Sequence, residues 1–220
     1  MKQKLVHNYG INDSVDPVSI NRFEDGKWKQ IWLCPIYSRW KDILRRCYNL
    51  KQKDPYYFVY EGCTVSEEWK YFSNFKAWAI SKDFDNLCID KDILIKGNKL
   101  YSKETCVMVP NYINCLLTDS RSARGHLPLG VSLKKKKKPH HRDRFQAYCH
   151  VSGKIVYLGY HNSPDLAHKQ WQDYKIIAIK ESLQKYKESA HFNKVVETAL
   201  LDRIQDIKED ISLNRETLKL

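Results

Sequence analysis

Apolar positions recur along this chain in two periods, and the change from one to the other divides it. From Tyr37 the residues Tyr37, Trp40, Leu44, Cys47 and Tyr48 fall on one helical face, which predicts a helix ended by Asn49 and the polar run to Pro55. A short aromatic strand is expected at Tyr56–Tyr60, then a turn at Glu61-Gly62. A second helix is expected from Ser66, with Glu67 and Glu68 in a first turn that favours carboxylates. Trp69, Phe72, Phe75 and Trp78 follow at strict threes and read as a core stripe. Leu87–Leu94 is apolar but broken by Asp90, Lys91 and Asp92; a Gly97-Asn98 turn precedes Tyr101–Val109, a strand or short helix. Residues 1–30 are polar, with turn clusters at Asn12-Asp13-Ser14 and Glu24-Asp25-Gly26, and are expected to be weakly structured.

Beyond the small, polar, basic stretch 119–126 the period drops to two. Strands are predicted at Val131–Lys137, Arg144–Val151 and Lys154–Tyr160, with Ser152-Gly153 as a hairpin signal. In the middle strand Phe145, Ala147, Cys149 and Val151 alternate with Arg144, Gln146, Tyr148 and His150, one buried face and one wet. Ser163 then caps a helix with Pro164 at its first position, whose apolar side is Leu166, Ala167, Gln170, Trp171, Tyr174, Ile177 and Ala178. A last helix over 192–211 spaces Val196, Leu200, Ile204, Ile207 and Ile211 near-heptad fashion. It can serve self-association or, the expected role, pack on its own domain. The expected architecture is α+β: an N-terminal segment 1–36, a domain 37–118, a linker 119–126, a three-strand-plus-helix domain 127–187 and a C-terminal helix 188–220.

Composition narrows the function. In 220 residues, 42% hydrophobic and 12% aromatic content is enough for a core and excludes wholesale disorder. No run of about 18 apolar residues is present to span a membrane, and the first residues lack the apolar run of a secretory signal, so a cytoplasmic location is expected. Seven cysteines, an odd number without CxxC spacing, argue against a disulfide framework or zinc ribbon. The net charge is +12, and residues 121–185 hold 14 basic against 4 acidic side chains. Such a local field attracts polyanions, nucleic acid first.

The basic sheet carries the sharpest chemistry. Its wet face would present Ser132, Lys134 and Lys136 from the first strand, Arg144, Gln146, Tyr148 and His150 from the second, and Tyr157 from the third. Lysine and arginine suit phosphates or guanine, glutamine suits adenine, and the rings add flat contacts. Residues 125–180 resemble the Apetala-2 (ethylene-response-factor) DNA-binding domain through Gly130-Val131, Phe145-Gln146-Ala147, Tyr157-Leu158-Gly159-Tyr160 and, in the helix, Ser163, Asp165, Ala167 and Tyr174. The resemblance implies a three-stranded sheet backed by one helix that reads the major groove, with Ser132, Lys134, Lys136, Tyr148, His150 and Tyr157 at or near contact positions.

The first half resembles phage HNH homing endonucleases through Trp40, Arg45-Arg46-Cys47-Tyr48-Asn49, Gly62-Cys63-Thr64-Val65, Glu68-Trp69, Phe72, Phe75, Ile89-Asp90-Lys91-Asp92 and Tyr101 to Pro110. That family implies a ββα unit holding one metal ion, with a histidine as general base. Asp90 matches the acidic ligand, Asn98 lies near the orienting asparagine and Asn111 near the last metal position, but the base position holds Lys91. No histidine occurs between His7 and His126. An ammonium with a reference pKa of about 10.4 is a poor base at pH 7, so hydrolysis by the usual route is expected to be lost. One alternative is an active endonuclease in which Asp90, Asp92 and Glu104 hold Mg²⁺ with Lys91 as electrostatic helper. Another is a phage protein that binds a host protein or ribonucleoprotein in the host cytoplasm. The expected partner is double-stranded DNA, with RNA left open.

Overall fold

A computed structural model describes residues 5–54, 57–84, 86–118, 124–135, 144–151 and 154–220. The architecture is mixed α+β, built from small sheets and helices. The chain divides into two compact units, Met1–Asp92 with Asn98–Met108, and Ile93–Gly97 with Val109–Leu220.

In the first unit, residues expected to be weakly structured form an antiparallel hairpin, β1 (Ser19–Glu24) and β2 (Lys27–Leu33). Neither face of it is buried, so no hydrophobic alternation announces it. Helix α1 (Pro35–Tyr48) follows the predicted pattern and buries Trp40, Ile43 and Leu44. Tyr57–Tyr60, expected as a strand, is a single helical turn, α2. The aromatic stripe is not one helix. Residues nine apart face opposite sides of an α-helix, so strict threes cannot share a face for long. The chain instead makes a 3₁₀ turn at Glu68–Lys70, extends at Tyr71, and restarts as α3 (Phe72–Ala79). Ser66 Oγ accepts the Trp69 N–H at 3.3 Å, and the Trp40 indole donates to Trp69 O at 2.7 Å. Trp40, Trp69, Phe72 and Phe75 are then fully buried together. Strand β3 (Thr64–Val65) pairs in parallel with β5 (Leu100–Tyr101), and β4 (Leu87–Asp90) pairs with β6 (Val107–Pro110).

In the second unit a turn of helix, α4 (Asn111–Asn114), precedes the three-stranded antiparallel sheet β7 (Val131–Lys134), β8 (Arg144–Val151) and β9 (Lys154–His161), in that order. The predicted hairpin turn Ser152-Gly153, the end of the first predicted strand and residues 119–123 of the linker lie outside the described residues. Helix α5 (Pro164–Lys187) starts at Ser163, whose hydroxyl accepts the Leu166 N–H. Ala167 packs against Val131 and Ala147, with Leu127, Phe145 and Leu158 around them. The buried stripe of α5 departs from the predicted one. Leu166, Gln170 and Ile177 are exposed, while His168, Gln172 and Lys175 are buried. Each of these polar groups has a backbone partner that periodicity cannot reveal: Leu129 O for His168, Arg215 O for Gln172 and Leu116 O for Lys175. Helix α6 (Lys194–Ser212) lies against α5 and buries Val196, Leu200, Ile204 and Ile207, while Ile211 of the expected stripe is half-buried. Among the described residues no helix is long and apolar enough to cross a membrane. All seven cysteines are free thiols.

Candidate nucleic-acid interface

Two places carry the chemistry expected from the sequence. At the first, the loop after β4, Lys91 turns inward with its side chain 7% exposed. Its ammonium donates to both carboxylate oxygens of Asp92, at 2.7 and 2.6 Å, and to Asn98 O at 2.9 Å. Asn98 answers across the turn. Its amide donates to Lys91 O and Leu100 O, and its carbonyl accepts the Leu100 N–H. Asp90 Oδ1 accepts the Asp92 N–H at 2.7 Å. Beneath the loop, the Tyr101 ring lies 5.9 Å from the ammonium, and burial pushes its phenol pKa well up. Arg46 bridges Tyr60 and Asp42 nearby. Burial also raises the thiols of Cys47 and Cys106 to about 12, so both are inert at neutral pH.

This donor set does not fit a Mg²⁺ ion. Such an ion takes several hard oxygen ligands in a near-octahedral shell. Both Asp92 oxygens instead face an ammonium. Asp90, Asp92 and Glu104 do not gather, since no group of three or more His, Cys, Asp or Glu side chains comes together among the described residues. Glu104 is a surface residue whose N–H bonds Ser102 Oγ, and Asn111 is an exposed residue that opens α4 in the other unit.

At the second place, the sheet, the pairing register decides which side chains share a face. Ser132 lies opposite Gln146 and Gln146 opposite Tyr160; Lys134 faces Arg144, Tyr148 faces Tyr157, and His150 faces Ile155. The predicted residues Ser132, Lys134, Arg144, Gln146, Tyr148, His150 and Tyr157 thus occupy one face, opposite the side packed on α5. Lys136 lies outside the described residues. Two members were not foreseen, Ile155 and Tyr160. Tyr160 arrives there through a bulge: the register shifts between Ala147 and Tyr148, Leu158 is the extra residue, and it turns into the core. Gly159, at φ 125°, permits the kink. A glycine inside a strand pattern was the available signal. The rings pair edge to face, Tyr157 with Tyr160 at 5.4 Å and Tyr148 with His150 at 5.7 Å.

Among the described residues the charges on this face are uncompensated. Lys134 and Arg144 stand directly opposite one another, an arrangement that destabilises a sheet unless something negative lies over it. Among the described residues no ion pair neutralises Lys134, Lys135 or Arg144. Three strands put the outer two about 10 Å apart, a width that enters a major groove of about 12 Å. Behind the edge of β8 a cavity of about 30 Å³, room for one water, is bordered by Tyr148, His150, Trp171 and Lys175. The Lys175 ammonium donates to Leu116 O there, and burial lowers its pKa.

No protein family, curated protein or solved structure matches this chain.

Proposed function

We propose that the protein binds double-stranded DNA in a sequence-preferring way through the outer face of its three-stranded sheet. The observation that carries this is the opposed pair Lys134 and Arg144, without an ion-pair partner among the described residues, beside Gln146, Tyr148, His150, Tyr157 and Tyr160 on one groove-sized surface. The cations supply phosphate attraction; Gln146 and the rings supply base contacts. The Apetala-2 resemblance supports the same assignment.

The first unit, in this reading, descends from an HNH homing endonuclease and has lost its hydrolytic chemistry. The match at Asp90, at the end of β4, supports the descent. Lys91, where the general base belongs, holds the turn together instead.

The test is the salt dependence of binding to duplex DNA. Each neutralised phosphate contributes roughly −0.9 to the slope of log affinity against log salt, so four or more contacts give about −4 or steeper. A slope near zero overturns the proposal. The lost chemistry is tested separately, by incubating supercoiled DNA with Mg²⁺ or Mn²⁺ beside an Asp90→Ala control. Intact DNA is expected; metal-dependent nicking that the variant loses would show a working nuclease at Asp90 and Asp92.

A further inference from the structure

On the outer face of the sheet, charge and apolar surface are divided by strand. β7 and β8 bring Ser132, Lys134, Arg144 and Gln146 to it; β9 brings Ile155, Tyr157 and Tyr160, paired with His150, Tyr148 and Gln146. A strand buried on one side ordinarily turns polar residues to the wet side. β9 does the reverse. Ile155 is 67% exposed, Tyr157 51% and Tyr160 46%, while Val156, opposite the buried Cys149, and Leu158 serve the inner side.

The cations on the same face indicate what covers these groups. Lys134 and Arg144 form the cross-strand row next to Gln146 and Tyr160, so a polyanion held by the first row lies over the second. From that row to His150 and Ile155 the face spans about 20 Å along the strands, roughly six base steps of a duplex laid along them. The floor of a major groove is mostly donors and acceptors, and its one apolar group is the C5-methyl of thymine. An isoleucine can bond neither a phosphate nor a base edge, but it can pack on that methyl. Gln146, in the adjoining strand, carries the amide that suits adenine, thymine's partner.

We propose that Ile155, flanked by Tyr157 and Tyr160, reads thymine methyl groups, so that the duplexes the sheet prefers hold A·T pairs under β9. This rests on the reading of the sheet as a duplex-binding face and names what that face selects.

The test starts from the sequences that the full chain selects from a random duplex pool. The best of them is resynthesised with deoxyuridine in place of one thymidine at a time, which removes a methyl and leaves pairing and charge as they were. In fluorescence anisotropy at least one replacement should weaken binding roughly fourfold, the worth of one buried methyl. Ile155→Ser should bind the thymidine duplex about as wild type binds the deoxyuridine one, and should be indifferent to the replacement. Ile155→Val should stay sensitive. Both variants should keep the salt slope, and an unchanged circular dichroism spectrum confirms that they fold. The inference is overturned if selected sequences lack A·T pairs, if no replacement weakens binding, or if Ile155→Ser is as sensitive as wild type. It is also overturned if Ile155→Ser dissolves a dimer seen in sedimentation and leaves the sensitivity intact, which would make β9 a self-association edge. In each of these cases duplex binding with a steep salt slope leaves the reading of the sheet standing. Absence of any duplex binding overturns that reading, and the methyl contact with it.

Discussion

In the loop after β4, Lys91 spends its ammonium on Asp92 and on Asn98 O, and Asn98 spends its amide on the backbone of Lys91 and Leu100. On the sheet, Lys134 and Arg144 face each other on neighbouring strands, with no ion pair to either among the described residues. The inventories are alike, cations with amides and turns, but one set is satisfied by its own chain and the other, among the described residues, is not. Satisfied polar groups close a structure; unsatisfied ones of like charge, held side by side by a register, store a repulsion that a polyanion relieves. Placement of partners, more than residue type, separates a closed loop from an exposed charged surface.

That contrast predicts opposite outcomes for charge changes at the two places. Lys134→Glu with Arg144→Glu should lower duplex affinity on the order of a hundredfold for all sequences and make the salt slope shallower by about 2. Thermal stability should hold, since both side chains are exposed. An unchanged affinity with the fold intact would move the binding face elsewhere. Lys91→Met is the converse. It strips both Asp92 oxygens and Asn98 O of a buried donor and should cost about 2 kcal/mol in urea unfolding, with duplex affinity untouched. A stable Lys91→Met protein that no longer binds DNA would erase the distinction.

How far these places were legible in the sequence follows from the same contrast. Period-two alternation exposed the sheet because one face is buried and one is wet, and it put Arg144, Gln146, Tyr148 and His150 together. It missed Tyr160, because strict alternation sends residues 157, 159 and 161 to one side and the Leu158 bulge resets the count. The β1–β2 hairpin was invisible to hydrophobic patterning, since neither face is buried; only Asp25-Gly26 marked it. Asp90, Lys91, Asp92 and Asn98 were found as residues. Their use was not legible, because nothing in spacing tells whether an ammonium points at water or at Asn98 O.

A smaller effect sharpens the sheet's side of the comparison. Gln146 and Tyr160 lie in one cross-strand row, so Gln146→Ala and Tyr160→Ala should shift preference among duplex sequences by about 1 kcal/mol while leaving the salt slope nearly unchanged. Selection of bound sequences from a random pool, repeated with each variant, reads this directly. Identical preferences would mean that this row only packs.

The subtlest prediction concerns a group behind the sheet that follows the loop's inward logic. His168 is buried on α5; its Nδ1 meets Leu129 O at 2.9 Å, and its Nε2 accepts the Thr217 N–H at 3.0 Å. With Nε2 accepting, the ring must be neutral, with its proton on Nδ1. Burial accordingly holds its pKa below the ordinary 6.5; Leu129 O, Glu216 and Asp210 pull upward, and Arg124 adds to the depression. The sign follows from which state takes up the proton first. Above about pH 6.5 the imidazole is neutral both folded and unfolded, and pH has no effect through it. As pH falls through that value the unfolded chain binds a proton that the folded chain refuses, so stability declines until the depressed folded-state pKa is passed. Urea midpoints at pH 7.5, 6.5 and 5.5 should therefore drop across the lower interval. His168→Gln should start less stable at pH 7.5, because the Thr217 N–H loses its acceptor, yet drop less. His7, lowered by burial with Lys41 and Arg45, adds a slope of the same sign that the variant keeps, so the difference between the two proteins is the readout. Equal slopes would mean that the C-terminal segment does not hold His168 neutral, and that the inward-turned group behind the sheet is not bound as the loop's groups are.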